Sequence, residues 1–291
     1  MLRGEPIRNP ALVAEIESAV ARRSYRDLFA RLCRSSGLPG PRPNHKLAWA
    51  VGEAIAKHAR RADALVAELC SIDAERAPAK SAAEFLSIVG AYSLAARFLA
   101  GIEADAALVQ LRTLAEDARH LVRTAVGMAL DEIAALRGEE LVARLATWTD
   151  GYLAAAVAVE ALGSRSWLDV TKAPGELFLR LDEAFGLVEQ APRADQRSQG
   201  YRTLIKALSD APARVMDRFP DATLAWLEGR ATTEHVELRE ALSTLIDRAR
   251  ARGHALGKFE RLEQLLAASA PPRRDPKTYV GPTRKRGARR R

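Results

Sequence analysis

At 291 residues, 48% of them hydrophobic but only 5% aromatic, the chain is long enough for a continuous core, and its Ala-, Leu- and Val-rich apolar content favours packed helices over sheets. The formal charge of +8 lies at one end: residues 271–291 hold nine Lys or Arg against the single acid Asp275, and removing these from totals of 45 and 37 leaves 36 of each in residues 1–270. A neutral body excludes reading a basic nucleic-acid groove from the overall charge.

The first residues, Met1-Leu-Arg-Gly-Glu-Pro, contain no apolar signal core, which points to a cytoplasmic protein. Pro10 suits a first helical turn, and Leu12, Val13, Ile16, Val20, Leu28 and Leu32 recur at helical spacing. Cys33 and Cys70 stand far apart with no redox or metal spacing and read as buried free thiols. The run from Gly37 to Pro43 is a loop, Asn44 caps a helix through about Arg60, and a shorter helix covers Ala62 to Ile72. Ser81-Ala-Ala-Glu84 reads as a capping box opening an apolar helix to about Gly101, whose uncharged stretch Phe85 to Ala96 is too short to span a bilayer.

Paired helices follow. Leu108, Leu111 and Leu114 form one stripe, ending at Glu116-Asp117. Val122, Ala125, Val126, Ala129, Leu130 and Ile133 form the next, ending near Gly138. A second pair runs Leu141 to Trp148, turns at Thr149-Asp150-Gly151, and continues Leu153 to Leu162, ended by Gly163. Looser pairs are Leu177–Val188 with Arg202–Leu208, and Ala222–Leu227 with Val236–Ala251. The turn acids Asp117 and Asp150 are 33 residues apart and other pairs are nearer 40. Helix pairs of that period bury their apolar faces only by stacking, the physics of an α-solenoid.

Leu111-Arg-Thr-Leu-Ala-Glu-Asp117, followed by Val122-Arg123-Thr-Ala125 and Ala129-Leu130, resembles a HEAT repeat. The resemblance implies an all-α, HEAT-like solenoid and an inter-repeat ladder of the turn Asp117 with Arg123. The next unit keeps Asp150 but has Ala156 where the Arg would stand. The similarity covers about residues 104–163 and is topological for 81–103 and 173–252. The organisation expected is an N-terminal helical capping segment over 1–80, HEAT-like repeats over 81–268 and a disordered basic tail over 269–291.

Candidate chemistry is sparse. Trp148 and Asp150 bracket a turn, and a Trp with an acid suits the alkylpurine DNA glycosylases built from HEAT-like repeats. Trp167 and Asp169 partly match that family's motif, but Thr171 and Lys172 stand where its essential carboxylate belongs. Should the enzyme alternative hold, these four residues are the catalytic candidates. The plainer reading is a Trp closing a helix end and an Asp capping the next helix. The five histidines are dispersed, no metal or cofactor motif is present, and neither group is expected. Gln196 to Arg202 is a polar helix start, and Glu234–Arg252 an ion-pair-laced outer helix.

The tail differs in kind. Arg273, Arg274, Lys277, Arg284, Lys285, Arg286, Arg289, Arg290 and Arg291 lie among Pro and Gly, a composition that buries no core and attaches to phosphates electrostatically. The sequence reads as a non-catalytic scaffold, tethered to DNA or RNA by this tail and holding a second macromolecule, such as a protein, on its concave face. The alternatives are a diverged glycosylase and a scaffold for proteins alone.

Overall fold

The computed structural model describes residues 9–254, 257 and 259–270, and for Glu139 the backbone alone. These residues form fourteen α-helices joined by turns and three short 3-10 segments, with no strand among them.

The first helices carry legible boundary signals. Asn9 accepts the Ala11 N–H at 3.0 Å and Pro10 opens α1 (Pro10–Arg22). After α2 (Arg26–Arg34) comes the Gly- and Pro-rich loop. Its turn at Gly37 has φ +76°, and a Cβ there would meet the Arg42 carbonyl at 2.7 Å. Asn44 then caps α3 (His45–Ala56) through the Leu47 N–H. That helix is shorter than its apolar pattern predicts, because the chain breaks into a 3-10 turn at Ala59–Ala62 before α4 (Asp63–Cys70). Helix α5 (Glu84–Leu99) starts at the expected place. The Glu84 N–H donates to Ser81 Oγ at 3.3 Å, while the Glu84 carboxylate takes the Lys80 N–H, one residue before the position a capping box uses.

Helix α5 is buried from Glu84 to Phe98 on every face, enclosed by α2, α3, α4, α6 (Ala104–Ala115) and α7 (His120–Arg144). Gly52 permits the closest of these approaches: a Cβ on it would lie 2.8 Å from the backbone of Tyr92 and Ser93. One expected helix end is absent. Helix α7 does not stop near Gly138 but continues past a kink at Arg137 (φ −139°, ψ 29°). Gly138 serves packing instead, since its missing side chain leaves room for Val170.

The remaining helices are α8 (Tyr152–Leu162), α9 (Arg165–Val170), α10 (Gly175–Glu189), α11 (Gln199–Arg218), α12 (Pro220–Arg230), α13 (Val236–Ala251) and α14 (Glu260–Ala268). Helix α11 outruns its predicted end at Leu208 by ten residues and carries Pro212 within it. Helices α3, α5, α7, α8, α11 and α13 form a row in which each packs on the next. Helix α6 lies beside the row against α5, α7 and α8, and α10 lies against α7, α8 and α11.

Polar contacts between elements span from 13 to 54 residues, and six of them fall in a narrow band. Ser164 to Asp131, Thr149 to Glu183, Tyr201 to His235, Arg252 to Asp217, Arg112 to Asp150 and Arg248 to Ser209 span 33, 34, 34, 35, 38 and 39 residues.

Candidate functional site

A cleft of about 450 Å³ opens on the row where α8 is recessed between α7 and α11. Its depth comes from small side chains. Helix α8 reads Tyr-Leu-Ala-Ala-Ala-Val-Ala-Val-Glu-Ala-Leu and presents Ala156, Val157 and Ala161 as a floor, while Gly127 and Met128 of α7 complete the apolar lining. The walls are polar: His120, Arg123, Thr124 and Asp131 from α7, Thr203, Lys206 and Arg214 from α11, with Glu160 and Ser164 at the end of α8.

Charge within the cleft is divided between two ends. On α7, Arg123 and Asp131 are eight residues apart, about 12 Å along the axis, and so are Lys206 and Arg214 on α11. The α7 N-terminal end holds His120, Arg123 and Lys206. Burial pushes the His120 imidazole below its ordinary range, and the nearby Arg123 and Lys206 charges push it the same way. The other end holds Asp131, Ser164 and a Glu160–Arg214 ion pair at 2.6 Å, whose Arg214 Nε also donates to the Gly163 carbonyl at 2.8 Å. Asp131 Oδ1 accepts the Ser164 hydroxyl at 2.6 Å. Burial raises the Asp131 carboxyl to about 6, against the stabilising Ser164 hydrogen bond and Arg214 charge.

Arg123 is 5% exposed, and its Nη1 donates to the carbonyls of Asp117 at 2.6 Å and Ala118 at 2.8 Å. It thus holds the backbone of the turn. The Asp117 carboxylate goes instead to Arg119, whose Nη2 lies 2.6 Å away. Arg119 also donates to the carbonyls of Ile72 and Ala77 and to Ser87 Oγ, tying the α6–α7 turn to the segment between α4 and α5. The HEAT resemblance implies Arg123 as the partner of the carboxylate, and Arg119 is not part of that pattern.

The four glycosylase-type candidates do not converge. Trp148 and Trp167 are 1% and 0% exposed, so neither indole face is open to a base. Asp150 is ion-paired with Arg112 of α6, and Asp169 with Arg165 of its own helix at 3.3 Å. None of the four lines the cleft. Nor does Asp150 cap α8: Glu116 of the preceding turn accepts the Ala154 N–H at 3.1 Å.

In the polar start of α11, Tyr201 is buried against Tyr152 and meets His235 Nε2 at 3.3 Å, while Gln196 and Arg202 line a second cavity of about 420 Å³ with Glu237 and Glu240 of α13. The nine tail cations from Arg273 to Arg291 lie outside the described residues.

Met128, Asp131, Glu160, Ser164, Lys206 and Arg214 were not legible as a group. One signal existed: Glu160 is the lone charge in an otherwise apolar α8, and such a charge in a buried helix has a partner or a cavity. Among the described residues no group of three His, Cys, Asp or Glu is placed to hold a metal ion, and no helix is long and apolar enough to cross a membrane. Cys33 and Cys70 are free thiols, and burial pushes Cys70 up to about 12, which leaves it inert as a nucleophile. No protein-family model matches the sequence, and no curated protein is significantly similar to it.

Proposed function

We propose that the chain is a HEAT-like helical-repeat scaffold that binds single-stranded nucleic acid, tethered by its basic tail and held along the α7–α8–α11 face. The repeats occupy residues 81–268, and the helices before them act as the cap that encloses α5. The observation that carries this reading is the cleft, an open groove in the middle of the row whose one end gathers Arg123 and Lys206 while the body as a whole is neutral. Six polar contacts that span 33–39 residues, the length of one helix pair, support the repeat assignment. Phosphates would be met by the tail and by the cationic end of the cleft, the sequence-independent part of nucleic-acid binding.

The test is a salt titration of the full-length chain, and of a full-length variant with the nine tail Lys and Arg replaced by Gln, against single- and double-stranded oligonucleotides. With roughly five to nine phosphates neutralised by the tail, log affinity falls by about 0.7–0.9 per contact per log unit of salt, and the variant shows a flattened slope. Equal affinity and slope for the two chains would remove the tail from the binding. Binding to neither form of oligonucleotide would sink the reading.

A further inference from the structure

The two ends of the α7–α8–α11 cleft call for a ligand with an anion at one end, an apolar body and a hydrogen-bond donor at the other. The Glu160–Arg214 pair is mutually neutralised, and Arg214 is further occupied by the Gly163 carbonyl. What remains is positive at one end and negative at the other. The Lys206 ammonium makes no ion pair or hydrogen bond among the described residues. Arg123 uses Nη1 on two carbonyls, and no carboxylate among the described residues pairs with it. At the far end, Ser164 occupies Asp131 Oδ1, and Oδ2 has no protein donor among the described residues. Between them, Met128, Ala156, Val157 and Ala161 form an apolar surface that no aromatic ring covers. The volume of about 450 Å³ falls within the range of small-molecule sites.

We propose that this cleft seats one nucleoside phosphate whose base carries an exocyclic amino group, as cytosine and adenine do and uracil and thymine do not. The phosphate lies at Arg123 and Lys206. The base lies flat on Met128 and Val157, and its amino group donates to Asp131 Oδ2. An extended nucleotide, from phosphate through sugar to amino edge, suits a separation of about 12 Å between the helix positions of Arg123 and Asp131. A carboxylate accepting from an exocyclic amine is a recognised way of reading cytosine, and apolar side chains hold unstacked bases in other sites. The ligand is either a free nucleotide or one unit of a strand, since both present the same atoms. The strand form rests on the nucleic-acid reading above; the free-nucleotide form does not.

The experiment is calorimetric titration of the full-length chain with CMP, AMP, UMP and inorganic phosphate. Lys206→Glu and Asp131→Asn are titrated alongside, after thermal melting has shown each to be folded. Lys206 is exposed, and the amide oxygen that Asp131→Asn introduces still accepts the Ser164 hydroxyl, so both substitutions leave the packing in place. CMP and AMP bind about tenfold more tightly than UMP, as one good contact to a base edge gives. Lys206→Glu weakens all three nucleotides together, and Asp131→Asn, which keeps its oxygen on Ser164 and puts an amide N–H in the place of Oδ2, weakens CMP, strengthens UMP and so erases the preference. CMP and UMP binding alike, or inorganic phosphate binding as well as CMP, would overturn the assignment, as would a preference that survives Asp131→Asn. A phosphorylated oligo(dC) that displaces CMP where oligo(dT) does not identifies the strand as the source; CMP selectivity without oligonucleotide binding leaves the cleft standing as a free-nucleotide site while the nucleic-acid reading falls. Strand binding that is indifferent to dC, dT and Lys206→Glu sinks the cleft and spares the tail.

Discussion

At the α6–α7 turn Asp117 is folded into the protein, its side chain 12% exposed; at the turn before α8 its counterpart Asp150 is 65% exposed. Both stand where an apolar helix ends, 33 residues apart, and both find an Arg. What separates them is the neighbour each turn packs against. Asp117 faces the irregular stretch after α4, whose carbonyls at Ile72 and Ala77 have left helical pairing, and Arg119 fills all of these acceptors at once. Asp150 faces the regular helix α6, where Arg112 reaches one loose carbonyl, Thr147, at 2.6 Å and lies at the rim. An identical turn acid is therefore structural where the adjoining unit has unpaired backbone to satisfy, and incidental where it has none.

The largest loss of stability is expected at Arg119. Replacing it by Met keeps the stem and removes the guanidinium, leaving the Asp117 carboxylate with only the N–H of residue 119, the Ile72 carbonyl with only the Ser87 hydroxyl, and the Ala77 carbonyl without its donor. A loss of about 3–5 kcal/mol is expected, read as a fall in the denaturant midpoint at unchanged slope. A loss under about 1 kcal/mol would put the two turns on the same footing.

Much of the fold was legible because it is written at short range. Asn9, Pro10 and Asn44 mark helix starts by local hydrogen bonding, and the stripes of α6 and α7 need only their own spacing. Misreadings fall where a distant element decides. Gly138 looks like a stop, yet Val170 packs into its space; Leu208 looks like an end, yet α11 runs on against α8 and α13. The cleft was illegible for the same reason. Its residues come from three helices across residues 120–214, and none carries a motif. The tryptophans marked by type are buried and the acids near them are ion-paired, and residue identity says nothing of which way a turn faces.

Arg123 acts within the α6–α7 turn itself. It holds two carbonyls and no carboxylate, so Arg123→Ala removes hydrogen bonds without stranding a charge. A loss of about 1–3 kcal/mol is expected, below that at Arg119. Loss equal to that of Arg119→Met would mean that the two residues act as one unit, which a double substitution would show as strong non-additivity.

Asp131 tests burial without an ion pair. Its carboxyl is raised from the ordinary 3.8 to about 6, so the folded state binds its proton more tightly than the unfolded chain. The stability this group lends is full below about pH 4 and is lost as pH rises through about 6. Asp131→Asn escapes that loss. The variant is expected to gain stability over the parent between pH 4 and pH 7, by about 1–2 kcal/mol after allowance for partial solvation. A difference between the two chains that is flat across pH 4–7 would mean that Asp131 ionises freely in the fold.

The smallest effect belongs to Asp150. Its partner Arg112 comes from α6, and both side chains reach solvent, where Coulomb attraction is screened and the entropy of holding two long groups offsets much of it. Asp150→Ala is expected to cost under about 1 kcal/mol. In a double-substitution cycle with Arg112→Ala the coupling should be about 0.2–1 kcal/mol and shrink when salt is raised. Arg112 retains the Thr147 carbonyl in the single variant, so its position does not depend on the carboxylate. A coupling as large at 1 M salt as at low salt would show that Asp150 is shielded from water after all, and the contrast with Asp117 would then be one of partner rather than of burial.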